Sequence, residues 1–233
     1  MLIKSKDSGY HHGNVKNELI NAALEIMENE DLEKVSLRRL ARMIGVTPAA
    51  VYNHFASKDV LMEGIKTRAF EEYVTFFDVN FKSQPEPEQN IFAICKIYFD
   101  FSRLHPTLFD VMYKQRAPRG FFETRRLPAY RNSRGLLSHS LADVYNKYQI
   151  PFTEESLSNG VLLIWAQLHG LVVLHESGSL ALMLGEENVP EKGSPEEYTI
   201  VENLITQMTE DFYRTLRNWR TAIQQGDTHN LTN

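Results

Sequence analysis

The chain has 233 residues, of which 42% are hydrophobic and 24% charged, a balance that excludes a disordered or fibrous protein and sets a prior of one or two domains. Its single cysteine excludes a disulfide framework and a thiolate zinc site. Its net charge of −5, taken whole, argues against nucleic acid as a partner.

The charge is unevenly spread, however. Residues 1–60 balance eight basic against eight acidic side chains, so the remainder carries the whole deficit. Between Ser36 and Lys58 stand Arg38, Arg39, Arg42 and Lys58 with no acid among them, a local patch suited to phosphates. The opening residues hold no apolar run of the kind that directs secretion. The longest nearly apolar stretch, Val161 to Leu174, falls short of the roughly 20 residues of a membrane-spanning helix. A cytoplasmic protein with no membrane partner is therefore expected.

Leu19, Ala22, Ala23, Ile26 and Met27 recur at helical spacing and predict a first helix over Val15–Asn29. Ser36 reads as the N-cap of a second helix, Leu37 to Met43, which Gly45 ends. Thr47 caps a third, with Pro48 at its first position and Phe55 at its end. Ser57 caps a fourth that begins at Lys58. Two short helices across a glycine turn make a helix-turn-helix, whose second helix can lie in a major groove. On that reading Val51 and Phe55 anchor the third helix inward, while the small Pro48, Ala49 and Ala50 let its backbone approach base edges. Tyr52 and His54 then reach flanking phosphates. A plain helical corner inside an enzyme has the same periodicity, with Tyr52 and His54 as surface residues.

From Gly9 to Leu61, without a gap, the chain resembles the DNA-binding domain of TetR-family repressors. The matching parts are the arm GYHHG, the alanine-rich first helix, SLRRLARMIGV and TPAAVYNHFASKDVL, with Tyr52-x-His54-Phe55-x-x-Lys58 the most family-specific. The resemblance implies an all-α protein: an N-terminal three-helix helix-turn-helix domain over residues 1–57 and a C-terminal helical ligand-binding and dimerisation domain over 58–233. It implies double-stranded operator DNA as a partner, contacted by His11 and His12 of the arm and by Ser36, Arg38, Thr47, Pro48, Ala49, Ala50, Tyr52, Asn53, His54 and Lys58. Asn53, where the family varies, is the expected source of individual site preference.

Beyond Leu61 only helices are expected, over about 58–79, 88–104, 106–114, 121–149, 153–177 and 195–224, with a short piece near Leu180–Leu184. Ser194-Pro195-Glu196-Glu197 is a strong start signal for the last of them. Its apolar stripe runs Val201, Ile205, Met208, Phe212, Leu216, Trp219. The preceding helix is apolar on nearly every side and must be covered all round, which points to a homodimer with Gly160 and Gly170 allowing close approach. Trp165 to Leu171 resembles the WHG-type C-terminal domain of one TetR subfamily, in which this helix and the last form a four-helix dimer interface.

The segment from Phe92 to Tyr130 is dense in aromatic residues and could line an apolar pocket for a small-molecule effector. Phe92, Phe99, Phe109, Tyr113, Trp165 and His169 are the candidate ligand residues, with plain core packing the competing reading for each. A basic run from Lys114 to Arg134 could meet an anionic effector or form a solvated surface. No phosphate-binding glycine loop, nucleophile elbow or spaced histidine–carboxylate set is present, so no cofactor, metal or catalytic residue is assigned. A repressor released by its effector is the expected function. A helical small-molecule-binding enzyme, whose N-terminal helices are only structural, is the alternative.

Overall fold

The computed structural model describes residues 15–113, 128–185 and 190–224, with side chains over 15–113, 135–185 and 190–221. Among them are ten α-helices and no strand. They are α1 (Val15–Asn29), α2 (Leu37–Met43), α3 (Pro48–Tyr52), α4 (Lys58–Asn80), α5 (Pro87–Leu104), α6 (Pro106–Tyr113), α7 (Pro128–Lys147), α8 (Glu154–Glu176), α9 (Ser179–Leu184) and α10 (Pro195–Gln224). The chain divides into two compact units, one of Met1–Glu71 with Thr107–Arg125, the other of Glu72–Pro106 with Arg126–Asn233.

In the first unit the local signals behave as their chemistry requires. Ser36 Oγ accepts from the Arg39 amide at 3.3 Å and Thr47 Oγ1 from the Ala50 amide at 3.2 Å, each satisfying a donor that the helix start leaves open. Gly45, at φ +73°, ends α2 in the left-handed conformation that a side chain resists. Leu19, Ala23, Leu40, Val51, Phe55 and Leu61 form the core. A Cβ on Gly64 would sit 3.0 Å from Phe55 Cε1, so α4 lies tight against that ring. Farther along α4, Phe70 meets Tyr113 of α6 edge to face, with centroids 6.4 Å apart. The third helix stops earlier than expected. Its last regular residue is Tyr52, and the His54 and Phe55 amides both return to the Val51 carbonyl, tightening the turn before α4.

In the second unit α5 is the hub, touching α7, α8 and α10. It buries Ile91, Ile94, Cys95, Ile97, Tyr98, Phe99 and Phe101. Cys95 is enclosed, and burial pushes its thiol up to about 12. The helix expected over 121–149 is described from Pro128 to Lys147; residues 121–127 lie outside the described part. Gly160 serves the chain's own packing, because a Cβ there would fall 2.8 Å from both Leu141 Cδ2 and Tyr145 Oη on α7. Gly170 faces open space instead.

Helix α8 is 23 residues long, the apolar stretch being extended at both ends. With a mean hydropathy of 1.6 over its best window, it is long and apolar enough to cross a membrane. Here it packs on α5, α7, α9 and α10. Ile164, Leu168 and Val172 point into the core, while Leu162, Leu163 and Val173 are 59%, 60% and 45% exposed. The stripe of α10 divides in the same way: Val201, Ile205 and Leu216 are buried, whereas Met208 and Phe212 are half-covered and Trp219 is exposed.

The end of α8 is clamped to the start of α10. His175, 2% exposed, lies between two carboxylates, with Nδ1 3.2 Å from Glu176 Oε1 and Nε2 3.2 Å from Glu197 Oε1. Ser194 Oγ accepts from the Glu197 amide at 3.1 Å, as its expected capping role requires. Lys192 Nζ donates to the Glu176 carbonyl at 2.8 Å. Burial opposes the charge on Glu176, but hydrogen bonds from His175 and Lys192 and their charges outweigh it and hold the carboxyl below its ordinary range.

Candidate nucleic-acid interface and ligand site

Helix α3 has one anchored side and one open side. Val51 and, just beyond the helix, Phe55 are fully buried, which fixes its rotation. Thr47, Pro48, Ala49, Tyr52, Asn53 and His54 are then exposed and Ala50 is half-covered. The exposed edge near its N-terminus carries nothing larger than proline, and Tyr52 and His54 stand at its other end. Ser36 and Arg38 are exposed at the start of α2. His11 and His12 lie outside the described residues.

The four cations of the sequence patch are not equivalent. Arg39 forms a two-pronged pair with Glu30, its Nη1 2.9 Å from Oε2 and its Nη2 on Oε1. The hydrogen bond from Arg39 lowers the Glu30 carboxyl below the usual range. Lys58 Nζ donates to the Leu32 carbonyl at 3.0 Å, which ties the start of α4 to the turn before α2. Arg38 and Arg42 are exposed and form no ion pair among the described residues. Of these four, the two open cations therefore both stand on α2.

The six candidate ligand residues fall in separate places. Trp165 and His169, one turn apart on α8, stack with centroids 4.9 Å apart and planes 8° from parallel. His169 Nδ1 shares a 2.9 Å hydrogen bond with the Tyr98 hydroxyl of α5. Burial holds this imidazole below its ordinary range, so it is neutral near pH 7. Phe99, the next residue along α5, is instead enclosed, against His175 at 5.0 Å and Tyr198 at 6.0 Å. Phe92 is half-covered. Phe109 and Tyr113 pack on each other, 4.9 Å apart, within the first unit. Of the basic run, Lys114 to Arg126 lie outside the described residues, as do the side chains of Arg131 and Arg134.

Sequence reasoning did not single out Tyr98 or Tyr73. The rings of Tyr73 and Tyr98 are 6.0 Å apart and nearly perpendicular, and Tyr73 also meets Phe101 at 5.1 Å. Stacked, hydrogen-bonded and edge-to-face contacts thus run from Trp165 through His169, Tyr98 and Tyr73 to Phe101. The available signal was chemical: a tyrosine hydroxyl on a buried helix face needs a partner.

Residues 19–65 match the model for bacterial regulatory proteins of the tetR family, and residues 91–192 match that for a tetracyclin repressor-like C-terminal domain. The second span contains Trp165 to Gly170. The nucleoid occlusion factor SlmA of Aliivibrio fischeri is 30% identical over 102 residues, covering 42% of this chain and 51% of that protein. SlmA of Vibrio cholerae is 26% identical over 100 residues, with the same coverage of 42% and 51%. The chain thus spans about half the length of the curated relatives it matches. Among solved structures, a protein of unknown function from Rhodococcus sp. RHA1 aligns with a TM-score of 0.69 and 23% identity, over 91% of this chain and 100% of that one. A TetR transcription regulator from Haloarcula marismortui aligns with a TM-score of 0.58 and 16% identity, over 85% and 98% of the two chains. At these identities the structures share the fold.

Proposed function

The chain belongs to the TetR family of DNA-binding bacterial regulators, and on that premise we propose that it is a cytoplasmic transcriptional repressor, dimeric on its operator and released by a small apolar or amphipathic effector. The observation that carries the reading is the division of α3 into a buried side, Val51 with the adjoining Phe55, and an exposed side of small residues flanked by Thr47, Tyr52 and His54. Small residues bring the backbone near base edges, where an alanine methyl suits a thymine methyl. Hydroxyl and imidazole groups at the ends of such a helix suit phosphates.

The exposed Leu162, Leu163 and Val173 of α8 with Trp219 of α10 supply the apolar surface by which two copies pair. Pairing sets the separation of the two α3 helices, which must match about 34–36 Å for successive major grooves. An effector releases DNA only by favouring the spacing that does not fit. The Trp165–His169 stack, with Tyr98 behind it, is the proposed effector contact: a flat indole and a neutral imidazole suit an apolar body with one polar group.

A salt-dependent gel shift on DNA upstream of the gene tests the first part. Binding that is sequence-specific and weakens as salt rises supports the reading, and absence of a specific complex sinks it. Effector placement is tested with Trp165→Ala. Unchanged operator affinity with a lost effector response supports the placement; undiminished release moves the pocket elsewhere.

A further inference from the structure

The outermost line of α3 can be located from Val51, which is 0% exposed. At about 100° per residue, Ala49 and Asn53 each stand about 160° from Val51, straddling the point farthest from the core. Asn53 keeps helical geometry although it follows the last regular residue. Its φ and ψ are −66° and −24°, and its backbone amide donates to the Ala49 carbonyl at 3.2 Å. Ala49 and Asn53 are therefore neighbours one turn apart, about 6 Å along the axis, and both are exposed. Tyr52 and Ala50 flank this line, each about 100° from Val51.

Several polar groups around this line are held within the unit. Thr47 Oγ1 accepts from the Ala50 amide, and Lys58 Nζ donates to the Leu32 carbonyl. The Asn53 side chain makes no hydrogen bond among the described residues. From Thr47 to Ser57 the chain has no arginine, lysine, aspartate or glutamate. It thus lacks the cations that take the guanine O6 and N7 pair, and the carboxylates that accept from the cytosine amino group. What the line offers is a methyl group at Ala49 and, at Asn53, a carbonyl acceptor beside an amino donor. Adenine shows the complementary pair in the major groove, its N6 amino group as donor and N7 as acceptor, and thymine shows a methyl. Resting on the proposed DNA-binding function, we propose that Asn53 is the residue that sets the operator sequence, taking an adenine through both amide atoms while Ala49 packs on a thymine methyl. Each half-site is then read at A·T pairs about two steps apart, because one helical turn spans about 6 Å and a base-pair step about 3.4 Å.

The test is selection of the full chain on randomised duplexes, then affinity on the selected sequence with one half-site varied at a time. Wild type should prefer adenine to guanine at one position by about five- to 150-fold, the worth of a good two-point contact. Asn53→Ala should cut that preference to within about twofold and leave the other positions as they were. Replacing that adenine by 7-deazaadenine, which lacks N7, should weaken wild type but not Asn53→Ala. Deoxyuridine about two steps away, which lacks the thymine methyl, should weaken wild type about fourfold and leave Ala49→Gly unaffected. Circular dichroism confirms that each variant is folded. A selected sequence whose preferences all survive Asn53→Ala overturns this assignment and leaves the DNA-binding function standing. So does a G·C pair at the position that depends on Asn53. Failure to select any sequence overturns both.

Discussion

Trp165 and His169 lie as parallel plates one helical turn apart, 4.9 Å between ring centres, with the imidazole held from behind by Tyr98. A protonated imidazole in that position would quench the indole. Burial keeps His169 neutral down to a pH below its ordinary value of 6.5. Trp165 emission should therefore stay level from pH 8 to 6.5 and fall only below that, and His169→Gln should remove the fall. Stability follows with a definite sign. The unfolded chain takes up its proton near 6.5 and the folded chain only lower, so this contribution is complete above 6.5 and declines as the pH drops. Urea titrations between pH 5 and 8 measure it.

Neighbouring arginines on α2 should behave differently towards DNA. Arg38 is exposed and forms no ion pair among the described residues, whereas Arg39 is engaged by Glu30. Arg38→Ala should flatten the dependence of log affinity on log salt by about 0.9, the value of one lost phosphate contact, and Arg39→Ala should leave the slope unchanged. Tyr52→Phe should weaken binding to all sequences alike. Gel shifts at several salt concentrations separate these outcomes.

The exposed and buried leucines of α8 give a matched pair for the dimer. Leu163 is 60% exposed and Leu168 is 3% exposed. Leu163→Glu should yield folded monomers in light scattering at micromolar concentration, with far-ultraviolet circular dichroism unchanged. Leu168→Glu buries a charge in the subunit's own core and should unfold it, which the same spectrum detects. A monomeric wild type would refute the pairing surface.

Removing the imidazole of His175 leaves Glu176 and Glu197 without the group that separates them. His175→Ala should cost about 3 kcal/mol in urea unfolding, the scale for stripping one partner from buried charges. Adding Glu197→Gln should restore part of that loss, because one of the two facing carboxylates is then neutral.

Helix starts and the α2 turn were legible in the sequence, since a cap or a turn depends on residues within one helical turn of it, whereas the end of α3 at Tyr52 was not. Ser36, Thr47 and Ser194 cap where their hydroxyls require, and Gly45 turns the chain where expected. Facing was legible only where polar residues mark the outer side. On α3, Val51 and Phe55 stood out from small and polar neighbours and their burial followed. On α8 almost every position is apolar, so nothing in the pattern distinguishes Leu163 from Leu168. The choice between them is made by the helices α5 and α7 packed alongside. Adjacent aromatic residues met the same difficulty: Tyr98 turns to His169 and Phe99 to His175, about 100° apart around α5. The two units, moreover, are not serial in the chain. Phe109 and Tyr113 follow the aromatic helix α5 in sequence but belong with the N-terminal residues, and that allegiance is a property of the tertiary fold.

The edge-to-face contact of Phe70 with Tyr113 has a consequence in time. A chain made from its N-terminus has completed α1 to α3 and the start of α4 when residue 71 is joined, but the segment that covers Phe70 begins only at Thr107. At about 5–20 residues per second the interval lasts a few seconds. During it, Phe70 of α4 is synthesised but lacks the Tyr113 ring that meets it. For that interval a growing chain offers the Phe70 ring to chaperones, and a transcript cut short before codon 113 would yield a chain that never gains this contact.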